Sequence, residues 1–271
     1  MPMPGRFLCA AMLLAACAAC AAFAQPATIA LSTPVEQLAR DALGGQPGMA
    51  AAGVWREGKT SLAGAAGGPG VAEPVTSGPQ ATLFEIGSIS KVFTGLLLAQ
   101  AVEAGDLSLD DTLGKLLQGK ATFAHADTAA ITLRQLVTHT SCLPRLPPDF
   151  RRQGYTAADP YRNYGRARMW ETLAAIRIAR PAPCDALYSN FGFGVLGELL
   201  SERYGRPWAA LVRERITAPL GMRDTLQVLG GEAPRLAPPF DGSAPASPWD
   251  MDAFAGAGAL RSTAADLLTF G

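Results

Sequence analysis

Leu83-Phe84-Glu85-Ile86-Gly87-Ser88-Ile89-Ser90-Lys91-Val92-Phe93-Thr94 changes character halfway along. Leu83 to Gly87 reads as a short strand ending in glycine, and Val92 to Ala101 reads as a buried helix. Ser88 and Lys91 fall at the mouth of that helix, and positions i and i+3 share a helix face. The Lys91 amine can therefore sit close enough to the Ser88 hydroxyl to take its proton. A serine alcohol is a weak nucleophile until a neighbouring base activates it, and a lysine kept partly neutral by burial is one such base. The first turn of a buried helix also leaves backbone N–H groups free to stabilise an oxyanion. The same residues suit a plain helix start, with Ser88 as a cap and Lys91 solvated. The motif needs company before it assigns chemistry.

Tyr188-Ser189-Asn190 is that company, opening a second apolar helix from Phe191 to Tyr204. A tyrosine phenol beside cations can act as acid or base although its ordinary pKa is about 10. An asparagine amide offers a donor and an acceptor in one group, which suits it to gripping a peptide or lactam amide. The alternative is an interface tyrosine followed by an Asn helix cap. Neither histidine reads as a catalytic base: His139 lies in a Thr-His-Thr-Ser turn, where a structural hydrogen bond is expected, and His125 stands alone. No His, Cys and carboxylate cluster has metal-ligand spacing, so no metal and no other cofactor is expected.

Five ordered segments resemble one family. They are Glu85 to Thr94, Leu136-Val137-Thr138-His139-Thr140-Ser141-Cys142-Leu143-Pro144, Tyr188-Ser189-Asn190, Pro219-Leu220-Gly221-Met222 and Gly258-Ala259-Leu260-Arg261-Ser262-Thr263. Together they resemble the class C β-lactamase and penicillin-binding serine hydrolase family, including its DD-carboxypeptidase/endopeptidase members, from about residue 35 onward. The resemblance implies an α+β fold of the serine β-lactamase/DD-peptidase type, an antiparallel sheet domain with an inserted helical domain. It implies a serine acyl hydrolase acting through an acyl-enzyme on D-Ala-D-Ala cell-wall peptides or β-lactams. Ser88 would be the acylated nucleophile, Lys91 its proton acceptor, Tyr188 the group relaying the proton to the leaving group, and Asn190 a ligand for the substrate amide. A same-fold esterase and a non-hydrolysing penicillin- or cell-wall-binding protein are the alternatives.

The chain departs from the family pattern in two places. The family's Lys-Thr-Gly or His-x-Gly triplet on a late strand does not follow Tyr188, and the sequence ends within the apparent helix Ala264 to Phe270. It therefore reads as truncated, with the late sheet strands missing. The family's Thr-Ser-Gly-Leu-Pro appears as Ser141-Cys142-Leu143, and its Pro-Gly turn before the tyrosine as Pro183-Cys184-Asp185. A cysteine in either turn is strained if the turn needs a positive φ.

Length 271 with 49% hydrophobic residues suffices for one sizeable core or two intimately packed subdomains. Formal net charge is zero and the only lysines are Lys59, Lys91, Lys115 and Lys120, so nothing suggests nucleic acid. Arginines 145, 151, 152, 162, 166 and 168 cluster, as expected of a solvated insertion loop or of a surface meeting an anionic polymer or a substrate carboxylate. Residues 1–24 read as a signal peptide, with Arg6, an apolar run from Phe7 to Ala19 and the cleavage site Ala22-Phe23-Ala24. The expected location is periplasmic, with residues 25–271 as the hydrolase domain. Leu14-Ala15-Ala16-Cys17 also resembles a lipoprotein box, and only lipidation at Cys17 would bring a membrane into play. Cleavage would leave Cys142 and Cys184 in an oxidising compartment, and the sequence leaves their pairing open.

The remaining pattern predicts a helix over Val35 to Leu43 and a hairpin of Met49 to Arg56 with Thr60 to Ala66, turning at Glu57-Gly58-Lys59. Loops are expected over Gly64 to Gln80, Pro144 to Asn163 and Pro234 to Pro248. Asp106 to Thr112 reads as a turn into a short helix, Leu113 to Leu117, and further helices are expected over Met169 to Ala179 and Trp208 to Leu220.

Overall fold

A computed structural model describes residues 34–68, 78, 81–152 and 154–271; the signal segment 1–24 and Cys17 lie outside the described residues. Residues 35–271 form one compact unit. Helix α1 (Val35–Leu43) leads into the antiparallel hairpin of β1 (Gly48–Arg56) and β2 (Lys59–Gly67). Glu57 and Gly58 form its two-residue turn with φ of 51° and 78°, the mirror-image geometry that matches the twist of the flanking strands. Strand β2 runs on to Gly67, so part of the loop expected from Gly64 is strand. Leu43 of α1 packs beside Gly67 and Leu268 beside Gly53. Gly67 pairs with Gly48, five residues from Gly53, so the pleat turns these two contacts to opposite faces.

Strand β3 (Phe84–Glu85) is shorter than the predicted Leu83–Gly87, because its ladder partner among the described residues is the two-residue β6 (Arg261–Ser262). That antiparallel pairing brings residues 84–85 to 261–262 and closes off between them the helical part: α2 (Ser90–Glu103), the short α3 (Leu113–Leu116), α4 (Ala126–Ala129) and α5 (Leu133–Val137), then α6 (Arg166–Ala175), α7 (Asn190–Tyr204) and α8 (Trp208–Val212). A small hairpin of β4 (Phe240–Asp241) and β5 (Ala244–Pro245) interrupts the Pro-rich stretch, followed by α9 (Ala255–Gly258) before β6 and α10 (Ala264–Phe270) after it. Helices inserted between paired strands make the α+β architecture expected from the sequence.

The core lies between α2 and α7: Phe93, Leu97 and Leu98 meet Phe191, Leu196 and Leu200, with Leu133 and Leu136 of α5 and Leu211 of α8 at the sides. Helix α6 starts and stops earlier than the predicted Met169–Ala179. Gly165 precedes it in extended backbone, and at its end Thr128 Oγ1 donates to the Ile176 carbonyl at 2.8 Å, drawing the chain out to bury Ile178. The predicted Trp208–Leu220 helix is likewise split, its α-helical part ending at Val212 and giving way to a wider turn over Arg213–Thr217. Among the described residues no helix is long and apolar enough to cross a membrane.

Candidate active site

Gly87, at φ 49°, turns the chain out of β3 into one tight 3-10 turn, Gly87–Ile89, that runs directly into α2. A Cβ at Gly87 would meet nothing within 4 Å, so the backbone conformation and not crowding calls for glycine. This turn leaves Ser88 exposed on the cleft wall and Lys91, one turn later, 7% exposed.

Lys91 Nζ has three acceptors: Ser88 Oγ at 3.1 Å, Asn190 Oδ1 at 2.9 Å and the Ala257 carbonyl at 2.6 Å. An ammonium has three donors, so all are used. The Ser88 hydroxyl also hydrogen-bonds the Tyr188 hydroxyl, and Lys91 Nζ lies 4.7 Å from the centroid of the Tyr188 ring. Ser88, Lys91, Tyr188 and Asn190 thus form one connected cluster. Burial lowers the Lys91 pKa below the usual lysine value; the Tyr188 oxygen opposes that shift and the Arg145 charge adds to it. Burial alone would raise the Tyr188 phenol. Its hydrogen-bonding partners Lys91 and Ser88, with the charges of Lys91 and Arg145, outweigh burial and leave it below its usual value.

Each side chain is held by its neighbours. Ser189, not Asn190, caps α7: its Oγ accepts from the Gly192 N–H at 2.8 Å and donates to the Pro144 carbonyl at 2.7 Å. His139, at φ 61°, accepts from the Ser189 N–H on Nδ1 at 3.1 Å and lies 4.7 Å from the Tyr188 ring. Burial, then the charge of Lys91, lowers its pKa, which suits a ring that must stay neutral to accept. Ser90 Oγ accepts from the Leu260 N–H at 3.0 Å and Thr94 Oγ1 donates to the Gly256 carbonyl at 2.8 Å, fastening α9 to α2. At the same seam a Cβ on Gly256 would stand 2.8 Å from the Phe193 carbonyl oxygen and 2.9 Å from Gly197 Cα, so main chain touches main chain there.

Cys142 and Cys184 form a disulfide with Cα atoms 5.4 Å apart, which the sequence left open. Cys142 does occupy the left-handed region, at φ 62°, where a side chain is strained. Two backbone bonds run beside the bridge, Cys184 N–H to the Thr140 carbonyl at 2.9 Å and Leu187 N–H to the His139 carbonyl at 2.8 Å. The segment that ends in Tyr188 is therefore laced to the turn that carries His139.

Asn190 Oδ1 receives Lys91 and its Nδ2 donates to Tyr161 Oη at 3.1 Å, while the residue still lines the cleft in front of Ser88. The arginine cluster is no single patch, since Arg162 pairs with Asp159 and Asp250, Arg166 with Glu198 and Arg168 with Asp149. Sequence reasoning missed Tyr161, which sits in a stretch read only as irregular, and the Ala257 carbonyl, which lies one residue before a quoted motif. The cleft in front of Ser88 has a volume of about 910 Å³ and is lined by Arg145, Tyr161, Asn190, Trp249 and Gly258 among others. Among the described residues no three His, Cys, Asp or Glu side chains group as a metal set.

Residues 35–271 match the family model for Beta-lactamase. The chain is 31% identical over 189 residues to the D-alanyl-D-alanine-carboxypeptidase/endopeptidase AmpH of Escherichia coli (strain K12), covering 69% of this chain and 47% of that protein. It is 27% identical over 170 residues to the esterase EstB of Burkholderia gladioli, covering 60% and 43%. Among solved structures, a class C β-lactamase from Rhodobacter sphaeroides superposes with a TM-score of 0.69 at 28% identity, over 88% of this chain and 64% of that one. The chain spans about half the length of the curated relatives it matches, 47% and 43% in these two cases.

Proposed function

The chain belongs to the Beta-lactamase family, and from that premise we propose that it is a serine acyl hydrolase acting on D-Ala-D-Ala cell-wall peptides or β-lactams. The observation that carries this reading is the Ser88 hydroxyl, hydrogen-bonded at once to Lys91 Nζ and to the Tyr188 hydroxyl on the wall of an open cleft. Ser88 Oγ attacks the scissile carbonyl carbon, and its proton passes into the Lys91–Tyr188 pair. Tyr188 then delivers a proton to the leaving nitrogen as the C–N bond breaks, and water hydrolyses the resulting ester. The lowered pKa values of Lys91 and Tyr188 support this exchange, because each group gives up its proton more readily than an ordinary lysine or tyrosine. The Ser88 N–H, at the start of the helical run, is a donor available to the developing oxyanion. Asn190 acts in this reading by orienting Lys91 while its amide faces the substrate. The signal-like leader supports a periplasmic site of action on peptidoglycan peptides.

Fluorescent penicillin labelling followed by a chase tests the proposal. Transient labelling that Ser88→Ala abolishes is expected, with acylation slowed by several orders of magnitude in Lys91→Ala. Labelling that survives Ser88→Ala refutes the nucleophile, and an unchanged rate in Tyr188→Phe removes Tyr188 from the proton path. The relationship to EstB favours an esterase as second reading; turnover of a p-nitrophenyl ester without penicillin labelling would select it. Label that persists through the chase would indicate a penicillin-binding protein without turnover.

A further inference from the structure

Arg145 differs from the arginines that follow it. Arg162, Arg166 and Arg168 are each committed to carboxylates. Arg145 is exposed and makes no side-chain hydrogen bond or ion pair with any described residue, yet it lines the same cleft as Ser88, Asn190 and Tyr161. Its guanidinium carbon lies 5.0 Å from the centroid of the Tyr188 ring. The other charges of that cleft are placed differently. Glu85 accepts from Arg261 Nη2 at 3.1 Å and from the Trp249 N–H at 3.0 Å, while Asp241 is exposed on β4 and forms no ion pair with Arg145.

The main chain beneath Arg145 is fixed on both sides of Asn190. The Pro144 carbonyl receives Ser189 Oγ at 2.7 Å, the Arg145 carbonyl receives the Phe191 N–H at 3.1 Å, and Cys142 is tied to Cys184. The origin of the side chain is therefore set relative to the acyl-transfer cluster, and its guanidinium carbon lies over the Tyr188 ring. A guanidinium stacked on an aromatic ring still presents a planar fork of N–H donors that matches a carboxylate two-to-two.

We propose that Arg145 determines substrate specificity by binding a carboxylate on the acyl portion of the substrate, the part that lies against Asn190. The inference rests on the acyl-transfer reading above and narrows its substrates to anionic acyl donors.

Benzylpenicillin and carbenicillin test it on the full-length protein, because they differ by one carboxylate on the acyl side chain and share the ring carboxylate on the other side. The readout is the ratio of their second-order acylation rates, carbenicillin over benzylpenicillin. Arg145→Gln should lower that ratio about 10- to 100-fold, the worth of one hydrogen-bonded charge pair. Arg145→Lys should recover part of it, since it keeps the charge and loses the fork. Rising salt should lower the ratio in the wild type and leave it level in Arg145→Gln. A melting temperature unchanged by the substitution checks that the loop, held by main-chain bonds, stays folded. An unchanged ratio overturns the proposal, and so does an equal loss for both penicillins, which would assign Arg145 to the ring carboxylate or to Tyr188 alone. Failure of both penicillins to acylate the wild type overturns the hydrolase reading itself, a result distinct from normal acylation with an unaltered ratio.

Discussion

Reduction of the Cys142–Cys184 bridge should cost about 4 kcal/mol of stability. The two cysteines are separated by 42 positions, and the chain-entropy cost of closing a loop of that size in the unfolded state comes to about 4 kcal/mol at 25 °C. Cys142 adds a term of opposite sign. Its φ of 62° costs about 1 kcal/mol relative to glycine, which adopts that region freely. The double variant Cys142→Gly/Cys184→Ala loses the bridge and sheds that strain, so it should fall only about 3 kcal/mol below the oxidised protein. Cys142→Ala/Cys184→Ala loses the bridge and keeps the strain, and should fall the full 4 kcal/mol or so. Urea denaturation with and without reductant measures these differences, and thiol titration of denatured, unreduced residues 25–271, where Cys142 and Cys184 are the only cysteines, reports the bridge directly. Two titratable thiols before reduction, or a denaturation midpoint indifferent to reductant, would refute the reasoning. The reverse order of the two double variants would refute its strain component alone.

Three further outcomes follow from the packing. Gly256→Ala drives a methyl into the Phe193 carbonyl and Gly197; a loss of about 1–3 kcal/mol is expected, read as a drop of several degrees in the melting temperature, and an unchanged melt contradicts the close approach. Ser90→Ala leaves the buried Leu260 N–H without its acceptor, which should cost about 1–3 kcal/mol in chemical denaturation; a neutral effect would mean that another acceptor takes over. Burial raises the Glu198 carboxyl to about 7 despite Arg166, with Asp252 and Glu202 adding to the rise. A carboxyl raised in the folded state binds more protons there than in the unfolded chain, so its contribution is complete below pH ~4.3 and is lost as pH climbs through about 7. Glu198→Gln should therefore flatten the fall in unfolding free energy between pH 5 and 8, by about 3 kcal/mol at most, and a wild-type slope in the variant would exclude Glu198 as its source.

Much of the site was legible because spacing becomes geometry directly at a helix start. Ser88 and Lys91 needed only a helix beginning beside them to end up 3.1 Å apart. Tyr188 and Asn190 were legible only through resemblance, since nothing local in Tyr-Ser-Asn distinguishes a site from a cap, and the cap proved to be Ser189. Tyr161 was not legible as a site residue, and Arg145 only as one of six clustered arginines, because both lie in irregular chain whose course is set by distant partners and not by periodicity. The same holds for Cys142 and Cys184, which meet only because both flank backbone bonds between the 139–140 and 184–187 segments. Helix ends failed where a tertiary contact took over a carbonyl, as Thr128 does at Ile176. The extent of the strands failed for a related reason: β3 is as long as its contact with β6 and no longer.

The shortest of the three bonds to Lys91 ends on the carbonyl of Ala257, at 2.6 Å. No codon change can delete that oxygen. Residue 257 is free to drift in identity under selection while the group that holds the lysine persists, so an inheritance of this site is written partly in the path of the chain and not in its letters. A scan by alanine substitution is blind to it, since the wild-type residue is already alanine and every replacement brings the same acceptor. Exchanging the peptide unit after Ala257 for an ester by chemical synthesis, which weakens the carbonyl as an acceptor while retaining the side chain, is the kind of change that would expose its share in the chemistry.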